Sequence, residues 1–268
     1  MRRALHQGSI LIVEGPLDSR VYRQFTHSTC RVVIAEGKAN ATEVIRRLRP
    51  GFAGLAAIVD QDFASLDMTT PRSDDIMLSD GRDIECMLFA SPAFDRVVAA
   101  MADSDRLDRL QDATGASLRT LVYRSAAPVG ALRHISHADG LDFKFKGIEF
   151  SKFIHAADLE ASYEELILEV GRKTIRPGLD PAVYAPQMRQ LVENAEPEAL
   201  VNGHDLTSVL SQALRRTIAS HNAGDVSTDR LALSVGYAFD RSDWERTLLA
   251  TRLREWEERN PGYRLVRT

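Results

Sequence analysis

Hydrophobic and polar positions in the first third of the chain alternate between two periods. Ile10 to Val13 form an unbroken apolar run that reads as a short buried strand, and Leu17, Val21, Tyr22 and Phe25 then recur at helical spacing. Residues 31–35 (RVVIA) read as a second buried strand. Beyond Gly37, the positions Ala41, Val44, Ile45 and Leu48 share one helical face, with Pro50 and Gly51 as a stop. Leu55 to Val59 give a third strand, running out at Asp60, Gln61 and Asp62, and residues 75–78 (DIML) give a fourth. Strand, helix, strand, helix, strand predicts an α/β fold with parallel pairing and helices on the sheet faces. Ligands of such sheets bind beyond the carboxyl ends of the strands, so Glu14 and the Asp60/Asp62 pair are expected on one rim.

The remainder reads as mainly helical. Residues 83–130 carry helical spacing with solvated acidic faces, whereas LDFKFKGIEFSKF (141–153) alternates Phe143 with Phe145 and then Phe150 with Phe153, which predicts extended or hairpin structure. From Leu159 onward four more helices are expected, the last with Trp244, Leu248, Leu249, Leu253 and Trp256 on one stripe. That stripe suits either docking of a partner or packing on the protein's own core. The Pro/Gly-rich segment 174–187 reads as a connection between helical units. The expected division is an α/β metal-binding core over residues 1–130 and a mixed, mostly helical region over 131–268.

Composition narrows the classes. The 268 residues are 44% hydrophobic and 27% charged, ordinary for a globular protein, and no apolar run approaches the roughly 20 residues that span a bilayer. The first residues, MRRALHQG, lack the apolar segment of a signal peptide. Cys30 and Cys86 make no disulfide framework, so a reduced, cytoplasmic protein is expected. A net charge of −4 argues against a coat of basic patches, although an acidic site screened by metal remains compatible with a nuclease.

The chemistry lies in the acids. Asp60 and Asp62 alternate with Gln61, so an extended strand would point both carboxylates to one side, where they repel unless a cation holds them. Mg²⁺ or Mn²⁺ suits such oxygen ligands, and Glu14 from a neighbouring strand completes a set of the kind used for phosphoryl transfer.

ILIVEGPLD followed by LAAIVDQDF resembles a TOPRIM domain, the fold shared by topoisomerases, primases and OLD-type nucleases. SDGRDIECMLF and NGHDLTSVL extend the resemblance to an OLD-like branch associated with ABC-type ATPases in anti-phage systems, including the nuclease subunit of PARIS. The resemblance implies that Glu14, Asp60 and Asp62 are catalytic metal ligands, that Asp18 is a further acidic ligand, and that Asp83 and Glu85 serve a second metal at a strand-to-helix junction. It also implies a nucleic acid substrate, cleaved by a metal-activated water, and an ABC-type ATPase partner with a role in antiviral defence; DNA, RNA and tRNA stay open as substrates, as does a homodimer. The chain has neither the length of a topoisomerase nor the cysteines of a primase zinc module. A non-catalytic scaffold or binding subunit of an ATPase complex is the alternative.

Plainer accounts stand beside each residue. Glu14 suits a cap or ion pair, Asp18 an early-turn acid favoured by the helix dipole, Asp60/Asp62 an Asx-turn, and Asp80 with Gly81 a turn. Lys38 is a weak phosphate-binding candidate near a helix N-terminus and otherwise a solvated lysine. His204 is another, against a helix start capped by Asn202 or Asp205. His134 and His137 have metal-like spacing but no third ligand nearby.

Overall fold

The computed structural model describes residues 8–63, 66, 73–174 and 179–267. Residues 1–7, whose sequence lacks the apolar segment of a signal peptide, and 175–178 of the Pro/Gly-rich connection lie outside the described residues. Four strands form the sheet: β1 (Ile10–Val13), β2 (Arg31–Ile34), β3 (Leu55–Val59) and β4 (Ile76–Leu78). They are all parallel, in the order β2-β1-β3-β4. α1 (Pro16–Tyr22) follows β1 and α2 (Lys38–Leu48) follows β2.

The strands divide their side chains with period two, as a pleated sheet requires. Ile12, Leu55, Ala57 and Val59 meet Ala41 and Ile45 of α2 on one face. Leu11, Val13, Ala56 and Ile58 join the main core on the other. Apolar residues on both faces of β3 explain its unbroken run LAAIV. Edge strand β2 is mostly exposed, with Val33 and Ile34 facing solvent.

The helical part continues with α3 (Ile84–Ala90), α4 (Pro92–Met101), α5 (Ser104–Thr114), α6 (Leu118–Ala138), α7 (Tyr163–Lys173), α8 (Pro181–Asn194), α9 (Pro197–Leu200), α10 (Gly203–Arg216), α11 (Thr228–Ala238), α12 (Arg241–Trp244) and α13 (Leu248–Arg259). The expected division at residue 130 falls inside α6, and the main core runs from Leu11 in β1 to Val266 near the end of the chain. Val266 bridges to Thr26, and Trp256 Nε1 donates to Asp75 Oδ1 at 2.9 Å, so the last helices close on the sheet.

Two expectations are corrected. Residues 141–153 contain no strand; only a single bridge, Ile154 to Ala161, follows. Side chains replace the ladder: the Phe143 amide donates to Ser136 Oγ at 2.9 Å and the Lys144 amide to Thr174 Oγ1 at 3.1 Å. The single helix expected around Trp244 and Trp256 is two, because Thr247 starts α13 afresh by accepting from the Ala250 amide. Both tryptophans are buried, Trp244 stacked on Phe25 with centroids 5.0 Å apart. The apolar stripe is therefore core, with Leu248 alone of its five residues exposed.

Candidate acidic site

β1 and β3 are neighbours in the middle of the sheet, so Glu14 and Asp60 leave the same rim side by side. The Asp60 amide donates to Glu14 Oε1 at 2.7 Å. Gly15 opens α1, and its amide donates to Asp18 Oδ2 at 3.1 Å, turning that buried carboxylate back toward the rim. A Cβ on Gly15 would lie 3.2 Å from the same oxygen, so the missing side chain permits the approach.

From the other side comes the junction between β4 and α3. Asp83 caps α3, its Oδ1 accepting from the Cys86 amide at 2.9 Å and its Oδ2 from the Gly203 amide at 2.8 Å, while Glu85 stands in the first turn. α10 reaches this junction through Gly203: a Cβ there would fall 2.0 Å from Glu85 Cβ and 2.6 Å from Asp83 Oδ1. Asn202 caps the same helix by accepting from the Asp205 amide at 2.8 Å. Asp205 in turn takes both hydrogen bonds of the Arg133 guanidinium, each 2.9 Å. The NGHDL segment is thus the clamp that joins the helical part to the acids.

The carboxylates raise one another's proton affinity. Burial, then Glu14, Asp83, Asp18 and Asp62, pushes Asp60 up to about 9. Burial, then Asp83, pushes Glu85 up to about 8. Asp18 rises to about 6 through burial and, among its neighbouring acids, Glu14 and Asp83. Glu14 and Asp83 are raised mainly by burial; the Asp60 amide draws Glu14 back, and the Gly203 and Cys86 amides do the same for Asp83. Desolvation and like charge thus act in one direction.

Asp62 departs from the expected arrangement. β3 stops at Val59, and the backbone turns so that Asp62 takes a φ of +52°, its amide donating to the Arg82 carbonyl at 3.0 Å. Asp60 and Asp62 therefore do not share one side of an extended strand. Asp62 is exposed and pairs with Lys38 Nζ at 2.7 Å, and that amine also donates to the Asp60 carbonyl at 2.7 Å. Lys38 stands at the start of α2 and braces this turn. His204 is exposed on the first turn of α10. Asp80 accepts from the Leu248 amide at the start of α13. His134 and His137 pack their rings on Phe63, with centroids 5.0 and 5.4 Å away.

An all-oxygen donor set has the chemistry of a Mg²⁺ or Mn²⁺ site. As the side chains stand, however, no group of three or more His, Cys, Asp or Glu among the described residues is disposed to hold a metal ion. Sequence reasoning missed Gly203, Phe63, Arg82 and Arg133; the one available signal was that Phe63 follows Asp62 and Arg82 precedes Asp83. No protein-family model matches the chain, and no curated protein matches it.

Proposed function

We propose that the acidic cluster binds a divalent cation and that the chain is a Mg²⁺- or Mn²⁺-dependent nuclease hydrolysing phosphodiester bonds. One observation carries this reading: Glu14 and Asp60 leave neighbouring parallel strands joined by a 2.7 Å hydrogen bond, with Asp18, Asp83 and Glu85 near enough for burial and neighbouring acids to raise their proton affinity. Ionising these acids together is costly, and a hard cation offsets that cost. A bound divalent ion supplies an acidified water and neutralises charge that develops on phosphate. Glu14 and Asp60 are the first candidates to hold it, with Asp18, Asp83 and Glu85 as further donors. Lys38, on Asp62 and the Asp60 carbonyl, fixes the turn that presents Asp60.

The resemblance to OLD-like nucleases adds cytoplasmic action in antiviral defence under an ABC-type ATPase partner. A second reading is a non-catalytic binding subunit of an ATPase complex. Incubating the purified chain with plasmid and total RNA, in Mn²⁺, Mg²⁺ or EDTA, separates the two. Metal-dependent cleavage that Glu14→Gln and Asp60→Asn abolish supports the nuclease. Cleavage that survives both substitutions, or none by the wild type in either metal, rejects it.

A further inference from the structure

Beside the acidic cluster lies an open cleft of about 460 Å³ whose walls include Phe63, Arg82, Arg133, His137 and Phe145. It begins where the acids end. Phe63 follows Asp62, Arg82 precedes Asp83, and the two loops are tied by the Asp62 amide on the Arg82 carbonyl at 3.0 Å and the Gln61 amide on Ser79 Oγ at 3.3 Å.

Flat groups are stacked along the lining. The Arg82 guanidinium lies 3.6 Å from the centroid of the Phe63 ring, and His137 stacks on Phe63 with an interplanar angle of 29°. In the same lining the Arg133 guanidinium lies 4.3 Å from the Phe145 centroid. Neither arginine is a plain phosphate trap. Arg133 is neutralised by Asp205, and Arg82 Nη1 donates to the Leu200 carbonyl at 2.7 Å while Asp83 and Asp205 oppose its charge. Beside those pairs the lining holds Ser136 and the exposed carboxylate of Asp142, and its planar groups include His137, which is exposed, and Phe145, which is partly so.

Planar surface next to a phosphodiester-cleaving site fits a base, and only an unpaired base has a free face to stack. We infer that this cleft seats an unpaired nucleotide of the substrate strand, so that the enzyme acts on single-stranded nucleic acid, or on the loops of folded RNA, rather than on intact duplex. The inference rests on the nuclease reading for its substrate but not for its test.

The test is a binding measurement with the wild-type full-length chain in EDTA, where no cleavage is needed. Fluorescence anisotropy compares a labelled 12-nucleotide single strand, as RNA and as DNA, with the same strand in a blunt duplex. The single strand is expected to bind at least ~5-fold tighter, and His137→Ala and Phe145→Ala each to weaken it by about 5- to 100-fold, the range of one lost stack. Thermal unfolding of both variants at the wild-type temperature confirms that the loss is local; His137, being exposed, guards against a folding defect at Phe145. Equal or tighter binding of duplex overturns the inference, as does single-strand binding that a folded His137→Ala chain leaves unchanged. A chain that binds single strands through these residues yet cleaves nothing in Mn²⁺ would sink the nuclease reading and leave the seat standing.

Discussion

Two sets of buried acids in this molecule are treated in opposite ways. Glu169 on α7 is fully buried, yet Arg172, Lys152 and Lys173 stand 3.0, 3.4 and 3.7 Å from its oxygens. Burial pushes Glu169 up, but the Glu149 amide, Arg172 and Lys152 outweigh it and hold the carboxyl below its ordinary value. Asp205 has Arg133, and Asp243 has Arg96. At the sheet rim Glu14, Asp18, Asp60, Asp83 and Glu85 stand near one another with Arg82 beside Asp83 as modest compensation, while Lys38 pairs with the outlying Asp62. The chain has arginines and lysines to spare for buried carboxylates elsewhere. Among the described residues, the rim thus differs from Glu169, Asp205 and Asp243 in holding buried acids without matching cations, and the proposed cation site rests on that difference.

The contrast can be broken at several strengths. Glu14→Gln and Asp60→Asn are each expected to lower metal-dependent cleavage by about 100-fold or more, since losing a ligand forfeits several kcal/mol of charge stabilisation; a gel assay of RNA and DNA cleavage checks this. The same change of Asp to Asn should act with opposite signs on stability in EDTA. Asp205→Asn strands Arg133 and is expected to cost about 3 kcal/mol, a fall of roughly 6–12 °C in melting temperature. Asp60→Asn removes repulsion and is expected to raise it by a few degrees, on the order of 1–2 kcal/mol. A fall on Asp60→Asn would make the rim a structural network instead.

Titration sharpens the comparison. Asp60 binds its proton more tightly folded than unfolded, so its contribution is fully present below the unfolded carboxylate range and is lost as pH rises toward about 9. Asp18 and Glu85 act alike, up to about 6 and about 8. Between pH 5 and 9 the metal-free wild type should therefore lose stability relative to Asp60→Asn, and saturating Mg²⁺ should recover part of that loss in the wild type alone, as differential scanning fluorimetry reads. Glu164, Glu169 and Asp240, whose affinities are lowered, change stability only under more acid conditions. The smallest expected effect is at Leu248, 63% exposed on α13: Leu248→Ser should shift stability by less than about 0.5 kcal/mol. A pull-down with the ATPase partner then asks whether that residue contributes to docking.

Much of the sheet was legible because its strands are short apolar runs punctuated by Glu14, Gly37 and the acids after Val59. The meeting of Glu14 with Asp60 follows from the parallel topology alone. Asp62 was misread because alternation was carried past the end of β3, into a left-handed turn that Arg82 and Lys38 stabilise. The alternating phenylalanines of 143–153 misled for a related reason: their rings pack on the core while Ser136, Thr174 and Glu169 satisfy the neighbouring amides, which period-two counting does not detect. α11 was not foreseen as a separate helix, and its Gly236 backs closely onto Val21 of α1. Arg133 lies 72 residues from Asp205 and Gly203 lies 120 from Asp83, separations no local pattern bridges.

The contact at Gly203 leaves no clearance where α10 meets the start of α3. A methyl group would already overlap Glu85, so the start of α10 and the start of α3 are a press fit. A residue inserted in the 195–202 segment would be registered at once as a displaced Asp83, whose oxygen is held by the Gly203 amide. A residue inserted at the solvent-facing turn around Gly115, where a Cβ meets nothing, would be absorbed. Tolerance to change is accordingly lowest at such close-packed glycines, and Gly130 of α6, where a Cβ would fall 2.2 Å from the Leu200 carbonyl oxygen, ties the same segment from its other end.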